Sequence, residues 1–266
     1  MIAQPEYSLA FDDIAEGAFA WRMWMRLGWQ EIKRRYRRTA IGPFWSTLSL
    51  AVFIFMLGVV WARLWGHPVR GYLPFLTGGL LAWSLISALI TESCQVFVAS
   101  AGLIKQRPVS YMMLTCALVW RNLIVFAHNA IIMVAVYALL LLPPHWATLL
   151  IVPGLVLLAT NALWLGLLFG LLCARYRDLQ QVVGSVLQVA LFVTPIFWSA
   201  DQLGGRFALL VHFNVLFHLI EIVRAPLLGF APSSWSYICC ALSAVIGWVI
   251  TLYLFARLRQ RIPYWL

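Results

Sequence analysis

Long apolar runs, rather than alternation, set the pattern of this chain. Runs at about 43–65, 72–98, 112–142, 147–173, 180–198 and 237–256 each approach or exceed the roughly 20 residues that cross a hydrocarbon core as a helix. The every-second-residue pattern of a membrane barrel is absent from them. Polar or Gly/Pro-containing breaks separate the runs: GHPVRG, ASAGLIKQRPVS, Pro143-Pro144 and ARYRDLQ. The predicted fold is therefore an all-α polytopic membrane protein with six transmembrane helices in one domain, 42–256.

Ahead of the first run the pattern changes character. Within 20–41, Trp21, Trp24, Met25, Gly28, Trp29, Ile32 and Tyr36 fall on one side of a helix. Arg22, Arg26, Gln30, Lys33, Arg34 and Arg37 fall on the other, so the segment reads as an amphipathic interfacial helix. Gly42-Pro43 then breaks it, and Pro43 suits the first turn of a new helix. Residues 1–19 read as a polar cytosolic tail without the charged start and apolar core of a cleaved signal. Residues 257–266 read as a second cytosolic tail. Between the fifth and sixth runs, 199–236 holds apolar pieces too short to cross, with His212, His218, Glu221 and Arg224 among them. Re-entrant or interfacial helices are expected there.

Composition agrees: 63% of the 266 residues are hydrophobic and only 11% charged, against about a quarter charged in soluble chains. The net charge of +10 flanks apolar spans, so membrane topology explains it better than nucleic-acid binding. With both termini inside, only Arg63, Arg70, Arg206 and Arg224 of the 19 Lys and Arg fall outside. Both termini are thus expected in the cytosol. The five cysteines lie in or beside apolar runs, without metal-ligand spacing, and read as small buried hydrophobes.

Candidate chemistry is sparse. The nearest approach to a phosphate-binding loop, Gly66–Gly71, is followed by Tyr72 where a lysine is required. Any ATP-driven work must then come from another chain. The histidines show no H-E-x-x-H pairing, and His212 and His218, about 240° apart on a helix, cannot jointly face a metal. A membrane-embedded transferase needs acid–base residues at one membrane face, yet four of the nine Asp and Glu lie in the first 16 residues. A secondary transporter is disfavoured because the two halves show no clear repeat.

Two polar patterns stand out inside the spans. In span five, Gln181, Gly184, Ser185, Gln188, Phe192, Pro195 and Ser199 share roughly a third of the helix circumference. Such a stripe is costly against lipid, so it faces either helix-packing partners or a water-filled path. Span three carries Arg121, Asn122, His128 and Asn129, with Glu92 of span two as the natural counter-charge for Arg121. That group is as compatible with a helix-joining pair as with a gate. Gly166-x-x-x-Gly170 in span four permits close helix approach.

Four segments in order carry a family resemblance: RRYRRTAIGPFWSTL, LIKQRPVSYMML, ARYRDLQQVVGSVLQVALFVTPIFW and FNVLFHLIEIVRAPLLG. Together they resemble the membrane subunit of ABC-2-type polysaccharide exporters, above all O-antigen and capsule export permeases of Gram-negative bacteria. Teichoic-acid exporters and some lipid or drug exporters share the plan. The resemblance implies a homodimeric inner-membrane permease bound to two copies of a separate ATPase that carries ATP and Mg, with no cofactor or metal in this chain. It implies that spans one and five line a channel for a lipid-linked polysaccharide, adding Phe44, Ser49 and Phe55 to Gln181, Ser185, Gln188, Phe192 and Ser199. It also implies ATPase coupling through the amphipathic helix with Arg22 and Arg26, and through the loop with Gly102, Lys105, Gln106 and Arg107. His212, His218, Glu221 and Arg224 would belong to a gate at the outer mouth.

Overall fold

One buried helix, Val69–Ser93, is the post on which most of the apolar helices pack. The computed structural model describes residues 6–37, 42, 44–199 and 211–266. In chain order the helices are α1 (Glu6–Phe19), α2 (Trp21–Tyr36), α3 (Phe44–Leu64), α4 (Val69–Ser93), α5 (Val96–Ala99), α6 (Ala101–Gln106), α7 (Tyr111–Asn129) and α8 (Ile131–Leu140). A 3-10 turn (Trp146–Leu150) leads into α9 (Ile151–Arg175), then α10 (Leu179–Val193), α11 (Val215–Leu227) and α12 (Ser234–Leu258). A second 3-10 turn (Arg259–Arg261) and α13 (Ile262–Trp265) complete the order. No strand occurs among the described residues.

Five helical stretches among the described residues are long and apolar enough to cross a membrane: Phe44–Leu64, Val69–Ser93, Tyr111–Leu140, Trp146–Arg175 and Ser234–Trp265. The run expected to cross at 180–198 folds differently. It forms the 15-residue α10 and then an irregular stretch, because Thr194 is extended before Pro195. The Gly42-Pro43 break is seen in part, as Gly42 adopts a left-handed φ of +60° and Pro43 lies outside the described residues.

Packing separates the apolar helices. In the most apolar stretch of α4, 78% of positions are buried; in α3 the share is 17%. α9 closes on α7 and α5 through its two spaced glycines. A Cβ at Gly166 would collide with the Thr115 methyl, and one at Gly170 would lie 2.8 Å from the Phe97 ring. Across α9 and α12, Asn161 donates to the Cys240 carbonyl at 3.1 Å and Thr251 to the Trp164 carbonyl at 3.4 Å. Interhelical bonds of this kind contribute about 0.6 kcal/mol each in membrane proteins.

Both expected tails are built into the fold. Residues 6–19 form α1, seated on the start of α7, with Ala10, Asp13 and Gly17 buried along one side. The C-terminal residues continue α12, turn, and dock α13 through the fully buried Ile262 and through Arg175 over the Trp265 ring at 5.4 Å. The apolar side of α2 does not face lipid alone. Gly28 and Ile32 are buried, and a Cβ at Gly28 would stand 2.8 Å from the Ala117 carbonyl of α7.

Candidate functional site

The bundle has two ends, and each carries its own chemistry. At the end holding both termini, three elements bring charges together: α2, the last turn of α4 and the middle of α7. Glu92 accepts from Arg121 Nη2 at 2.7 Å, from Asn122 Nδ2 at 2.7 Å and from Arg35 Nη2 at 2.8 Å. Arg121 Nη1 also pairs with Glu31. The group lines a cleft of about 380 Å³ with Arg34, Gln95 and Ser100. Burial alone would lower the pKa of the Arg35 guanidinium, but its hydrogen bond to Glu92 and the Glu92 charge raise it above the ordinary value. The cluster can hold α2 to the bundle through charge instead of apolar contact alone.

Glu31 and Arg35 were not singled out from the sequence, because both belong to a helix whose charged positions read as solvated. His128, expected beside Arg121, stands apart: its Nδ1 contacts the Ile124 carbonyl at 2.7 Å and its ring meets Phe44 edge-on at 5.8 Å. Asn129 instead accepts from Thr47 of α3 at 2.8 Å.

On the same end, Gly102, Lys105, Gln106 and Arg107 are all exposed on and just after α6, with Ile104 as the buried anchor. Arg22 and Arg26 are exposed on α2, Arg22 lying over the Trp21 ring at 5.2 Å. The two groups are presented by separate elements.

The candidate lining residues fall into two grooves. Phe44 and Phe55 of α3 border an almost wholly apolar groove of about 410 Å³ completed by α4 and α8. Ser49 is exposed on α3 and bonds back to the Trp45 carbonyl at 3.0 Å. Gln181 and Ser185 border a wider groove of about 690 Å³ along α10, where Ser185 donates to the Gln181 carbonyl at 3.1 Å. Gln188 and Phe192 are exposed, and Leu187 is the one buried residue of α10. Gln181, Gly184, Ser185, Gln188 and Phe192 thus leave the α10 part of the polar stripe exposed among the described residues.

The two helices that carry the candidate lining residues approach each other at the opposite end, through rings. Trp61 of α3 stacks on Phe197 at 6.1 Å, Phe192 of α10 lies 5.8 Å from the same ring, and Trp65 meets Tyr72 at 6.1 Å. A cleft of about 320 Å³ opens beside them, bounded by His67, Tyr72, Phe75, Trp198 and Ser199. Sequence reasoning did not reveal this cluster, because tryptophans near span ends ordinarily mark a membrane interface.

α11 fixes the floor of that cleft. Arg224, buried to 5% exposure, donates to the Pro195 carbonyl at 2.7 Å and pairs with Glu221 at 2.6 Å, its guanidinium lying over Phe75 at 4.5 Å. Tyr72 donates to the Phe197 carbonyl at 2.7 Å, and Asn214 to Thr194 Oγ1 at 3.0 Å. His218 is buried between Ser236 Oγ at 3.0 Å and the His212 carbonyl at 2.8 Å. Glu221 and Arg224 thus clamp the turn after α10, whereas His218 ties α11 to α12. Residues 200–210 of the expected gate region, Arg206 among them, lie outside the described residues. Among the described residues, no group of three His, Cys, Asp or Glu is placed to hold a metal ion.

Among the described residues, then, the bundle is all-helical, its α10 amides and hydroxyls are exposed, and its charged end carries a short exposed helix. Comparison with known proteins adds the family. The chain is 22% identical over 240 residues to an O-antigen export system permease protein RfbA of Klebsiella pneumoniae, covering 87% of this chain and 90% of that protein. A protein of the same name from Myxococcus xanthus is 23% identical over 202 residues, covering 74% of this chain and 76% of its own length. The sequence profile of the ABC-2 type transporter family matches residues 23–228, so the chain belongs to that family and is a multi-pass transport subunit without a catalytic domain.

Proposed function

We propose that the chain is the permease of an ATP-driven exporter that moves a lipid-linked polysaccharide of O-antigen type across a bacterial inner membrane. The observation that carries this reading is α10. Its amides and hydroxyls at Gln181, Ser185 and Gln188 stand exposed at membrane depth, where lipid contact is costly. A second copy of the chain facing this helix encloses the stripe and makes a polar path. Amides can bond sugar hydroxyls, and rings such as Phe192, Phe197 and Trp198 can stack on sugar faces.

α10 serves as the sixth crossing. Fifteen helical residues rise about 22 Å, and the irregular stretch to Ser199 carries the chain on to the level of Tyr72. The cationic end, with Lys105, Arg107, Arg175, Arg177, Arg257 and Arg259, faces the cytosol by the positive-inside rule. Both termini lie there, and α6 and α2 meet two copies of a separate ATPase, which binds ATP and Mg. The permease names of the relatives support the polysaccharide cargo.

Deletion of the gene tests the reading. Surface glycan should disappear and its lipid-linked form accumulate inside the cell. Normal surface glycan in a clean deletion would sink the assignment, and loss of a teichoic-acid or drug-export phenotype instead would reassign the cargo within the same family.

A further inference from the structure

The N-terminal helix and the C-terminal turn converge on one carboxylate, that of Asp13, whose side chain is 1% exposed. Five donors reach this residue. Met112 N donates to Oδ1 at 3.2 Å and Tyr111 N to Oδ2 at 3.4 Å, so Asp13 caps the first turn of α7 from another helix. Ser110, the N-cap of α7, donates to the Asp13 carbonyl at 2.9 Å and lies 3.1 Å from Oδ1. It accepts in turn from Met113 N at 3.2 Å. Arg259, just past α12, donates to Oδ2 from Nη2 at 2.9 Å and from Nε at 3.2 Å. Gly17, one turn on, admits this approach: a Cβ there would collide with Ser110 Oγ and lie 2.7 Å from Met113 N.

The physical weight of this arrangement is high. A helix start leaves its first N–H groups without partners and prefers negative charge nearby. A carboxylate buried there must be paired, and Arg259 supplies the pair. Remove the carboxylate, and Arg259 and two N–H groups lose their partner together. Ser110 also sits four residues after Gln106, where α6 ends and the exposed Lys105–Arg107 segment turns back into the bundle. A cleft of about 300 Å³ between Glu16, Ile104, Arg107, Arg259 and Pro263 runs along this junction.

We infer that Asp13 is a positioning residue which clamps α1 and the C-terminal turn onto the entry of α7. A push received at α6 is thereby delivered into α7 instead of being lost in the loop between them. This rests on the transport reading above, because the push comes from the ATPase. Without the clamp, the Arg107–Ser110 loop bends and α7 stays still. The clamp also gives α1 a role that its polar sequence did not announce.

The experiment uses the permease–ATPase complex in lipid nanodiscs for ATP hydrolysis, and cells for export per permease molecule. Asp13→Asn keeps the shape but loses the charge; Gly17→Leu levers α1 away with the ion pair's residues unchanged. Both variants should bind the ATPase and hydrolyse ATP, while export per molecule falls about tenfold, within the usual range of coupling between sites. Asp13→Glu keeps the charged acceptor for Arg259 and for the first N–H groups of α7, and should retain more export per molecule than Asp13→Asn. Unchanged export per molecule in both Asp13→Asn and Gly17→Leu overturns the clamp. A fall that tracks lower permease abundance alone also overturns it, since that marks a merely structural contact. A wild-type complex that binds no ATPase and exports nothing overturns the transport reading itself, and is read without any variant.

Discussion

Helices α4 and α10 are both apolar segments of one bundle, yet they meet opposite surroundings. Most of α4 is buried within its own chain, while in α10 Leu187 alone is buried. Their residues account for the difference. α4 spends Gly78, Gly79, Thr77 and Ala82 on close approach, so α11 and the turn after α10 pack directly against its backbone. α10 spends Gln181, Ser185 and Gln188 on polar groups that stand exposed among the described residues. In a membrane, apolar composition shows that a helix crosses, whereas small and polar residues show what covers it. α4 is therefore a structural post, whereas α10 leaves its amides and hydroxyls exposed.

Arg224 is the sharpest place to break that contrast, because it touches both regions. It lies over Phe75 and against Gly78 of α4, and holds the Pro195 carbonyl at the end of α10. Arg224→Leu leaves Glu221 and that carbonyl without their donor. Removing one member of a buried pair costs about 3–5 kcal/mol. A detergent-unfolding titration of the purified permease should show it as the largest loss of the set. Wild-type stability would mean that the turn is held by Tyr72 and Asn214 alone.

Next in size is the post itself. Leu81 of α4 is fully buried, and Leu81→Ala opens a cavity with no water–lipid transfer to add to its cost. The expected loss is about 2–3 kcal/mol, at the lower end of such truncations. The same titration checks it. A loss below that of an α3 truncation such as Val52→Ala, at an exposed site, would remove the distinction between post and interface.

How far the fold was readable follows the same physics. The positions of the long spans were legible, since a run of apolar residues has few other uses. The Glu92–Arg121 pair was legible because acids are scarce and two charges at membrane depth seek each other. Glu31 and Arg35 were not, since charges on an amphipathic helix ordinarily face water. Asp13 was hidden for a different reason: its partners lie 97 and 246 positions away, and helix caps are usually local. The length of α10 was misjudged because Pro195 was counted within the span, whereas the chain leaves the helix at Thr194, the residue before it. The burial of α4 was equally illegible, as an all-apolar helix reads the same facing lipid or protein.

The smallest expected effect on stability is the most telling about α10. Gln188 is exposed and stands midway along the polar stripe. Gln188→Trp adds a large ring without removing any contact within the chain, so the unfolding midpoint should move by less than about 0.5 kcal/mol, as for surface positions. If the stripe faces a path between two copies, that ring narrows it, and export should fall steeply while dimer and ATPase still purify together. If the stripe packs tightly on the second copy instead, the ring breaks the dimer and export falls with it. If the helix simply faces lipid, tryptophan is tolerated and export stays at the wild-type level. Stability, dimer recovery and export measured together separate the three arrangements, and only the first keeps α10 as the lining helix of a sugar path.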